Sequence, residues 1–418
     1  MKRIAGLIIC LIAGIQSHSQ SLEDIQKMFG NKDYTGAKTA IVKYLADPKN
    51  NTKADGWYYK GYIYNAYSRE ASVIAADQLD YKSTAFDAFK KYQQLDVNDV
   101  RMKLEFWKSY LDLYFGLYDL GAKLFNDKNF ELALKAFLKS QEVEDYILSK
   151  KYTYPEAKLY HLDTALVLNT AIAANQAKDE VTAVKYYQKL VDASVAADNY
   201  LEVYEYMGNY YADKNDGANL AAVLTKARTF YPQTTYWNEL EIKMAGKSGD
   251  KKALYSKYEE MIDRYPADFT IGYNYAVELY NDLYGRDAKT ATDAGRQKLT
   301  AVIKKVIPND KGIDAIMLMS NHIFNMAADY AGQASIIKGA KPEDIKKKKE
   351  LNATSLRIMD EYIPYAEQAM KWFQDQPTLK SSQKATFRSL LTNMSDVYIA
   401  KGDPKKAAEY DKRKNQMN

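Results

Sequence analysis

The chain has 418 residues, more than one ordinary hydrophobic core serves, so several domains or a stacked array is required. Apolar residues at 47% and charged residues at 27% describe a folded chain and exclude a disordered one. A net charge of only +5 gives no footing for nucleic acid, and 19 glycines with 9 prolines, about half the usual share, predict long helices and few turns.

Residues 1–19 read as a secretory signal peptide. Lys2 and Arg3 precede the apolar run Ile4 to Ile15, and Ser17-His18-Ser19 then offers small residues two apart, which places cleavage between Ser19 and Gln20. The run is shorter than the ~20 residues a spanning helix needs. No later stretch is apolar enough to cross a bilayer, so no transmembrane segment is expected after cleavage. Cys10, the only cysteine, follows Ile9 in mid-run instead of closing the run after a small residue, so no lipid anchor is expected. The mature chain then carries a net charge of +3 and no thiol for a disulfide, a nucleophile or a metal. An exported protein of the periplasm or cell envelope is expected.

Helix-spaced apolar residues follow in pairs of stretches. Leu22, Ile25, Met28 and Phe29, then Ala37, Ile41 and Tyr44 before Pro48, make the first pair. Trp57, Gly61 and Tyr64 with Ala85, Phe89 and Tyr92 make the second, with an insertion near Ser72 to Tyr81 that lengthens the helices or forms a loop. Residues 101–116 read as a further apolar helix through Leu104, Trp107, Leu111 and Phe115. Leu117, Leu120, Gly121 and Leu124 then pair with Ala133, Phe137 and Ser140 across the turn Asp127-Lys128-Asn129-Phe130. After a longer connection holding Tyr154-Pro155, Val167, Ala171 and Ala174 pair with Ala183, Tyr187 and Leu190.

From Tyr204 the pattern is regular. Tyr204, Met207 and Tyr211 recur at i, i+3 and i+7, one stripe of a helix, and Gly208 leaves room for the second helix of the pair. Leu220, Leu224 and Ala227 form the matching stripe, and Pro232 stops that helix because proline lacks the N–H and clashes with the preceding turn. Pro266 follows Pro232 by 34 residues. The next pair runs from Tyr273 to Pro308, with extra residues in the polar segment Gly285 to Gly295. Met317 to Ala331 and Pro342 to Gln374 are longer helices, the second kinked or interrupted at Pro364, and Lys346 to Lys349 form a solvated face. Leu391, Met394, Ser395, Tyr398 and Ala407 restore the pattern, while Asp411 and Lys414 stand where a following pair would need apolar partners, as a terminal cap should.

A 34-residue unit of two helices with these positions resembles the tetratricopeptide repeat. Trp57, Gly61 and Tyr64 are similar to the family's tryptophan, glycine and tyrosine, with Lys60 departing from its leucine; Ala171 and Ala174 replace the glycine and tyrosine. The resemblance implies an all-α protein, an α-solenoid of about 8–9 stacked helix-turn-helix pairs wound as a right-handed superhelix. The regular solenoid is expected over 20–310, and 311–418 as an irregular helical region ending in the capping repeat.

Catalytic signatures are not found. His161 and His322 sit in no metal-binding spacing, and there is no phosphate loop, no nucleophile elbow and no dinucleotide fingerprint. Acidic pairs such as Glu202 with Glu205, Glu239 with Glu241 and Glu259 with Glu260 suit solvated helix faces. No metal, no cofactor and no enzymatic activity are expected. The resemblance places Tyr58, Tyr62, Asn65, Tyr118, Phe125, Asn175, Glu205, Asn209, Lys243, Tyr273, Tyr280 and Asn281 on the first helices, where family members line a concave groove. Phenol rings and asparagines there suit an extended peptide, the rings for contact area and the amides for its backbone. The carboxylate clamp of chaperone-binding members is set aside, because Glu205 accompanies Asn209. The leading expectation is a non-enzymatic protein-interaction scaffold of the bacterial envelope that binds a partner segment in that groove. Two alternatives stand beside it: a glycan-binding module of an outer-membrane uptake system, and an all-helical glycoside hydrolase closed into a ring.

Overall fold

The computed structural model describes residues 21–416 apart from 156, 248, 287, 289 and 290, so the leader expected over 1–19 lies outside the described residues. Among the described residues all regular structure is helical. The chain divides into two compact units, up to Met207 and from Gly208 onward. The first holds α1 (Leu22–Gly30), α2 (Tyr34–Ala46), the single turn α3 (Pro48–Asn51), α4 (Ala54–Tyr67), α5 (Ala75–Leu95), the short α6 (Val100–Leu104), α7 (Lys108–Asn126), α8 (Phe130–Lys150), α9 (Thr164–Gln176) and α10 (Glu180–Asp192). The division falls within α11 (Leu201–Asp213). The second unit holds α12 (Gly217–Phe230), α13 (Tyr236–Lys247), α14 (Lys251–Arg264), α15 (Phe269–Tyr284), α16 (Asp293–Val306), α17 (Asp314–Ile336), α18 (Pro342–Asp375), α19 (Ser381–Ala400) and α20 (Pro404–Asn415).

Consecutive helices pack as hairpins because one three-residue turn recurs. Its middle residue is left-handed: Lys32 (φ 63°), Lys128 (61°) and Lys178 (62°) in the first unit, Asn215 (58°), Gly249 (69°) and Gly402 (77°) in the second. An Asp or Asn comes next and opens the second helix. Asp33 accepts from the Gly36 N–H at 2.8 Å, Asp179 from Thr182 at 3.0 Å, and Asp216 from Asn219 at 3.1 Å, each meeting a donor that a helix start leaves unpaired. The 34-residue period is visible at the far ends too. Tyr231 and Tyr265 close α12 and α14 with the same backbone, φ −129° and ψ 64° and 65°, just before Pro232 and Pro266.

Two hairpins of the first unit are locked by an aromatic ring lying over a glycine. A Cβ added to Gly61 would clash with the Phe89 ring of its partner helix α5, and one added to Gly121 would meet the Phe137 ring of α8 at 2.6 Å. Gly208 differs from expectation: its space is taken by Leu240 of α13, at 2.6 Å, so this glycine admits the next hairpin. The stripes read from spacing form the core. Ile25, Ala37, Ile41, Ala85, Phe89, Tyr92, Tyr204, Met207 and Ala227 are all fully buried or nearly so. Burying a Phe or Ile side chain contributes about 1.5–3 kcal/mol, so these stripes supply the stacking energy.

Three segments depart from the sequence reading. Residues 101–116 are two helices, not one: the chain breaks over Glu105–Trp107, with Phe106 and Trp107 both left-handed at φ 53°. Leu104 and Phe115 consequently lie exposed, while Leu111 is buried. The insertion after α4 mainly lengthens α5, which begins at Ala75. α18 runs unbroken through Pro364.

Candidate functional site

Seven of the twelve expected groove residues lie in the first unit, and the structure draws three of them together on α4. Tyr58, Tyr62 and Asn65 recur at i, i+4 and i+7, so they share one face of that helix. The Tyr58 and Tyr62 rings are 4.9 Å apart, and Tyr62 stands 6.4 Å from Phe29 of α1 and 5.6 Å from Phe89. The Arg101 guanidinium lies 5.4 Å over Tyr58 and is itself held by Asp55 in two bonds of 2.6 and 2.8 Å. Burial, with Glu105 adding to it, pushes the Tyr58 phenol well above its ordinary range.

Between α4 and the start of α7 lies a cleft of about 310 Å³. Phe29, Tyr62, Asn65, Arg69, Glu105, Lys108, Ser109 and Asp112 line it. Asn65 is buried and bridges two charges: its Nδ2 donates to Asp112 Oδ2 at 2.6 Å, and its Oδ1 accepts from Lys82 Nζ at 3.2 Å. Arg69 pairs with Asp112 as well. Lys82 is almost completely buried and is pushed down to about 8, first by desolvation and then by the Arg69 charge. Glu105 is pushed up to about 7 by burial, only partly offset by its bonds to Ser109. The cleft therefore offers aromatic faces, the Glu105 carboxyl, and a ring of amide, hydroxyl and charged side chains.

Farther along α7, Tyr118 and Phe125 occupy separate places. Tyr118 lies 5.8 Å from the Phe137 ring and accepts from Asn169 Nδ2 of α9 at 2.8 Å. Phe125 lines a smaller cleft of about 160 Å³ with Phe137, Asn169 and Ile172. Asn175 is exposed in the last turn of α9, and Glu205 is half-buried on α11, its carboxyl raised by desolvation and by Glu202.

In the second unit, Asn209 donates to Tyr236 and accepts from Lys243 Nζ at 3.3 Å, and Lys243 also pairs with Asp213 at 3.0 Å. Tyr273 stacks on Phe269 at 5.2 Å, Tyr280 accepts from Asn325 Nδ2 at 2.8 Å, and Asn281 is exposed. A pattern unites several of these. Asn65 with Asp112, Tyr118 with Asn169, Asn209 with Lys243 and Tyr280 with Asn325 each tie the first helix of one hairpin to the first helix of the next.

Arg69, Lys82, Glu105, Ser109 and Asp112 escaped the sequence reading. One signal for three of them was present: Glu105, Ser109 and Asp112 stand at i, i+4 and i+7, a polar stripe inside a stretch that reads as apolar. Of the two histidines, His161 is exposed, and His322 is fully buried between Tyr284 at 3.1 Å and Thr300 at 2.8 Å. No group of three or more His, Cys, Asp or Glu side chains able to hold a metal occurs among the described residues. Among the same residues no helix is long and apolar enough to cross a membrane.

The recurrent left-handed turn, the glycine beneath an aromatic ring and the caps repeated 34 residues apart decide the class. The fold is a tetratricopeptide-like helical repeat. No family model matches the chain, and no curated protein does. Solved structures to which it is similar include a tetratricopeptide repeat protein from Parabacteroides merdae, at 13% identity over 66% of this chain and 95% of that one, with a TM-score of 0.28. The P58(IPK) TPR domain is similar at 13% identity over 94% of this chain and 97% of that one, TM-score 0.21. The human IFIT1 dimer with m7Gppp-AAAA is similar at 12% identity over 94% and 80%, TM-score 0.23. Scores this low describe no shared arrangement of whole chains, and the assignment stands on the hairpin geometry.

Proposed function

We propose that the tetratricopeptide-like chain is a non-enzymatic interaction scaffold of the bacterial cell envelope, and that it holds an extended segment of a partner protein in the cleft between α4 and α7. The observation that carries this reading is the composition of that cleft. Tyr62 and Phe29 supply flat apolar area, and Ser109, Arg69 and Lys108 supply groups for a peptide backbone and its acidic side chains. The Asn65 bridge holds the walls at a fixed spacing before any partner arrives, which lowers the ordering cost of binding. The envelope location rests on the leader read at residues 1–19.

A photo-crosslinking amino acid placed at Tyr62 tests the cleft in the cell. One partner should be captured, and capture should fall at least tenfold when Arg69→Glu and Lys108→Glu are added with helicity retained. Equal capture by the charge-reversed protein rejects the cleft. N-terminal sequencing of the exported protein tests the location, and a start other than Gln20 or its close neighbours rejects the leader.

A further inference from the structure

A second surface projects from the first unit at the break between α5 and α7, beside the cleft whose lining takes Glu105 and Lys108 from the same segment. Val97 (86% exposed), Val100 (52%), Leu104 (78%) and Phe106 (59%) present apolar side chains to solvent within ten residues. Val100 and Leu104 are i and i+4 on α6, one face of that short helix, and Val97 and Phe106 flank it at either end. Isolated exposed apolar residues need no explanation, but four of them within ten residues, two on one face of α6, mark a contact surface.

Two further observations say what kind of contact. Every fully exposed residue from 97 to 108 is apolar, Asn98 or a lysine, namely Lys103 and Lys108. The carboxylates of the segment are turned inward: Asp99 accepts from Gln93 at 2.6 Å and from Trp107 Nε1 at 2.6 Å, and Glu105 is half-buried against Ser109. The segment is also held stiffly. Asp99, Phe106 and Trp107 are all left-handed without being glycine, at φ 52°, 53° and 53°, a conformation that persists only where surrounding structure enforces it. Here that structure is the Trp107 ring stacked on Tyr152 at 4.4 Å and the Arg101 pair with Asp55.

A rigid knuckle that is apolar at its tip, basic at its flank and cleared of outward acids has the complement of an anionic interface with an apolar interior. We infer that Val97–Lys108 is a peripheral membrane contact that inserts Val97, Val100, Leu104 and Phe106 among anionic phospholipids, with Lys103 at the level of the phosphates. The lysine supplies attraction at the headgroups, and the apolar side chains supply the depth. A chain anchored this way carries its peptide cleft at the bilayer surface without a spanning helix.

The experiment is vesicle flotation of the purified chain, residues 20–418. Vesicles of phosphatidylcholine with one third phosphatidylglycerol are compared with phosphatidylcholine alone. The anionic vesicles should carry the protein at least tenfold better, and raised salt should weaken the binding. Leu104→Asp with Phe106→Asp should lower it at least tenfold, and Lys103→Glu several-fold. Both sites of the double variant are exposed, so its melting curve should match that of the unaltered chain; Val97→Asp, outside every helix, gives a second variant expected to lose several-fold. Unaltered protein that leaves both kinds of vesicle empty overturns the inference. So does an aspartate variant that floats as well as the original, or a dimer in vesicle-free solution that the same substitutions dissolve.

Discussion

The Phe89 ring packs against Gly61, in the space that a Cβ at position 61 would take, and Phe137 repeats the relationship at Gly121. Gly61→Ala and Gly121→Ala should each destabilise the chain by about 1–3 kcal/mol, because overpacking forces the rings off their positions and outweighs the helix propensity gained. Gly332, inside α17, has nothing within 4 Å of a new Cβ, so Gly332→Ala should stabilise by about 0.5–1 kcal/mol. Urea unfolding of the three variants checks the contrast in sign.

Asn65 connects Asp112 to Lys82 across the first helices of two hairpins. Asn65→Ala removes the acceptor of a buried ammonium and a donor of Asp112 together. A loss of about 1–3 kcal/mol is expected, the cost of leaving buried polar groups unpaired. Asn65→Asp should recover part of it by pairing with Lys82, although it then faces Asp112. Denaturation midpoints of the two variants, measured at pH 7, decide whether the bridge or mere side-chain volume matters at this site.

Much of this architecture was legible in the chain. Ile25, Ala37, Ile41 and Ala227 announce their burial by spacing alone, since a helix that must stack on both sides repeats its apolar residues every three or four positions. The recurrent turn is legible too, as Lys or Asn or Gly followed by Asp or Asn, most plainly at Asp127 to Phe130. The break at Phe106 and Trp107 was not, because no glycine or proline marks it: the left-handed backbone is enforced by Asp99 and Tyr152, one of them 45 residues beyond Trp107. For the same reason the sequence does not announce the bonds of Asn65, since the Asp112 carboxylate to which it donates lies 47 residues away.

One half-buried and one buried glutamate, with one buried histidine, give stability opposite dependences on pH. Burial pushes Glu105 and Glu144 up to about 7 from an ordinary 4.5, the Glu144 carboxyl also feeling Asp163. The folded state therefore holds these two protons more tightly than the unfolded one. Their contribution is fully present below about pH 4.5 and is lost as pH rises toward 7. His322 is pushed down to about 4 from 6.5 by desolvation, so its contribution is present above about 6.5 and is lost as pH falls toward 4. Glu144→Gln should flatten the fall in melting temperature between pH 5 and 7.5, and His322→Gln should flatten the loss between pH 6.5 and 4. Melting curves across pH 4–8 that keep their slopes in both variants would sink this account.

Gln93 is the point on which the knuckle at 97–108 and the connection after α8 are fastened together. Its Nε2 donates to Asp99 at 2.6 Å and to the Tyr152 hydroxyl at 2.7 Å, and its Oε1 accepts from Tyr110 at 2.8 Å and Tyr146 at 2.7 Å. A single amide thus satisfies one carboxylate and three phenols from four separate stretches of chain. Gln93→Leu keeps the approximate volume and removes all four bonds, which should cost about 2–4 kcal/mol because the partners are left in a desolvated site. Asp99 then holds only the Trp107 indole in this network, and the left-handed pair Phe106-Trp107 loses its enforcement on one side. Trypsin should accordingly cut faster after Lys103 and Lys151 in the variant, with little change after Lys346 in α18 of the second unit. A uniform rise in cleavage along the chain would mean that Gln93 serves global stability alone and does not hold the knuckle in place.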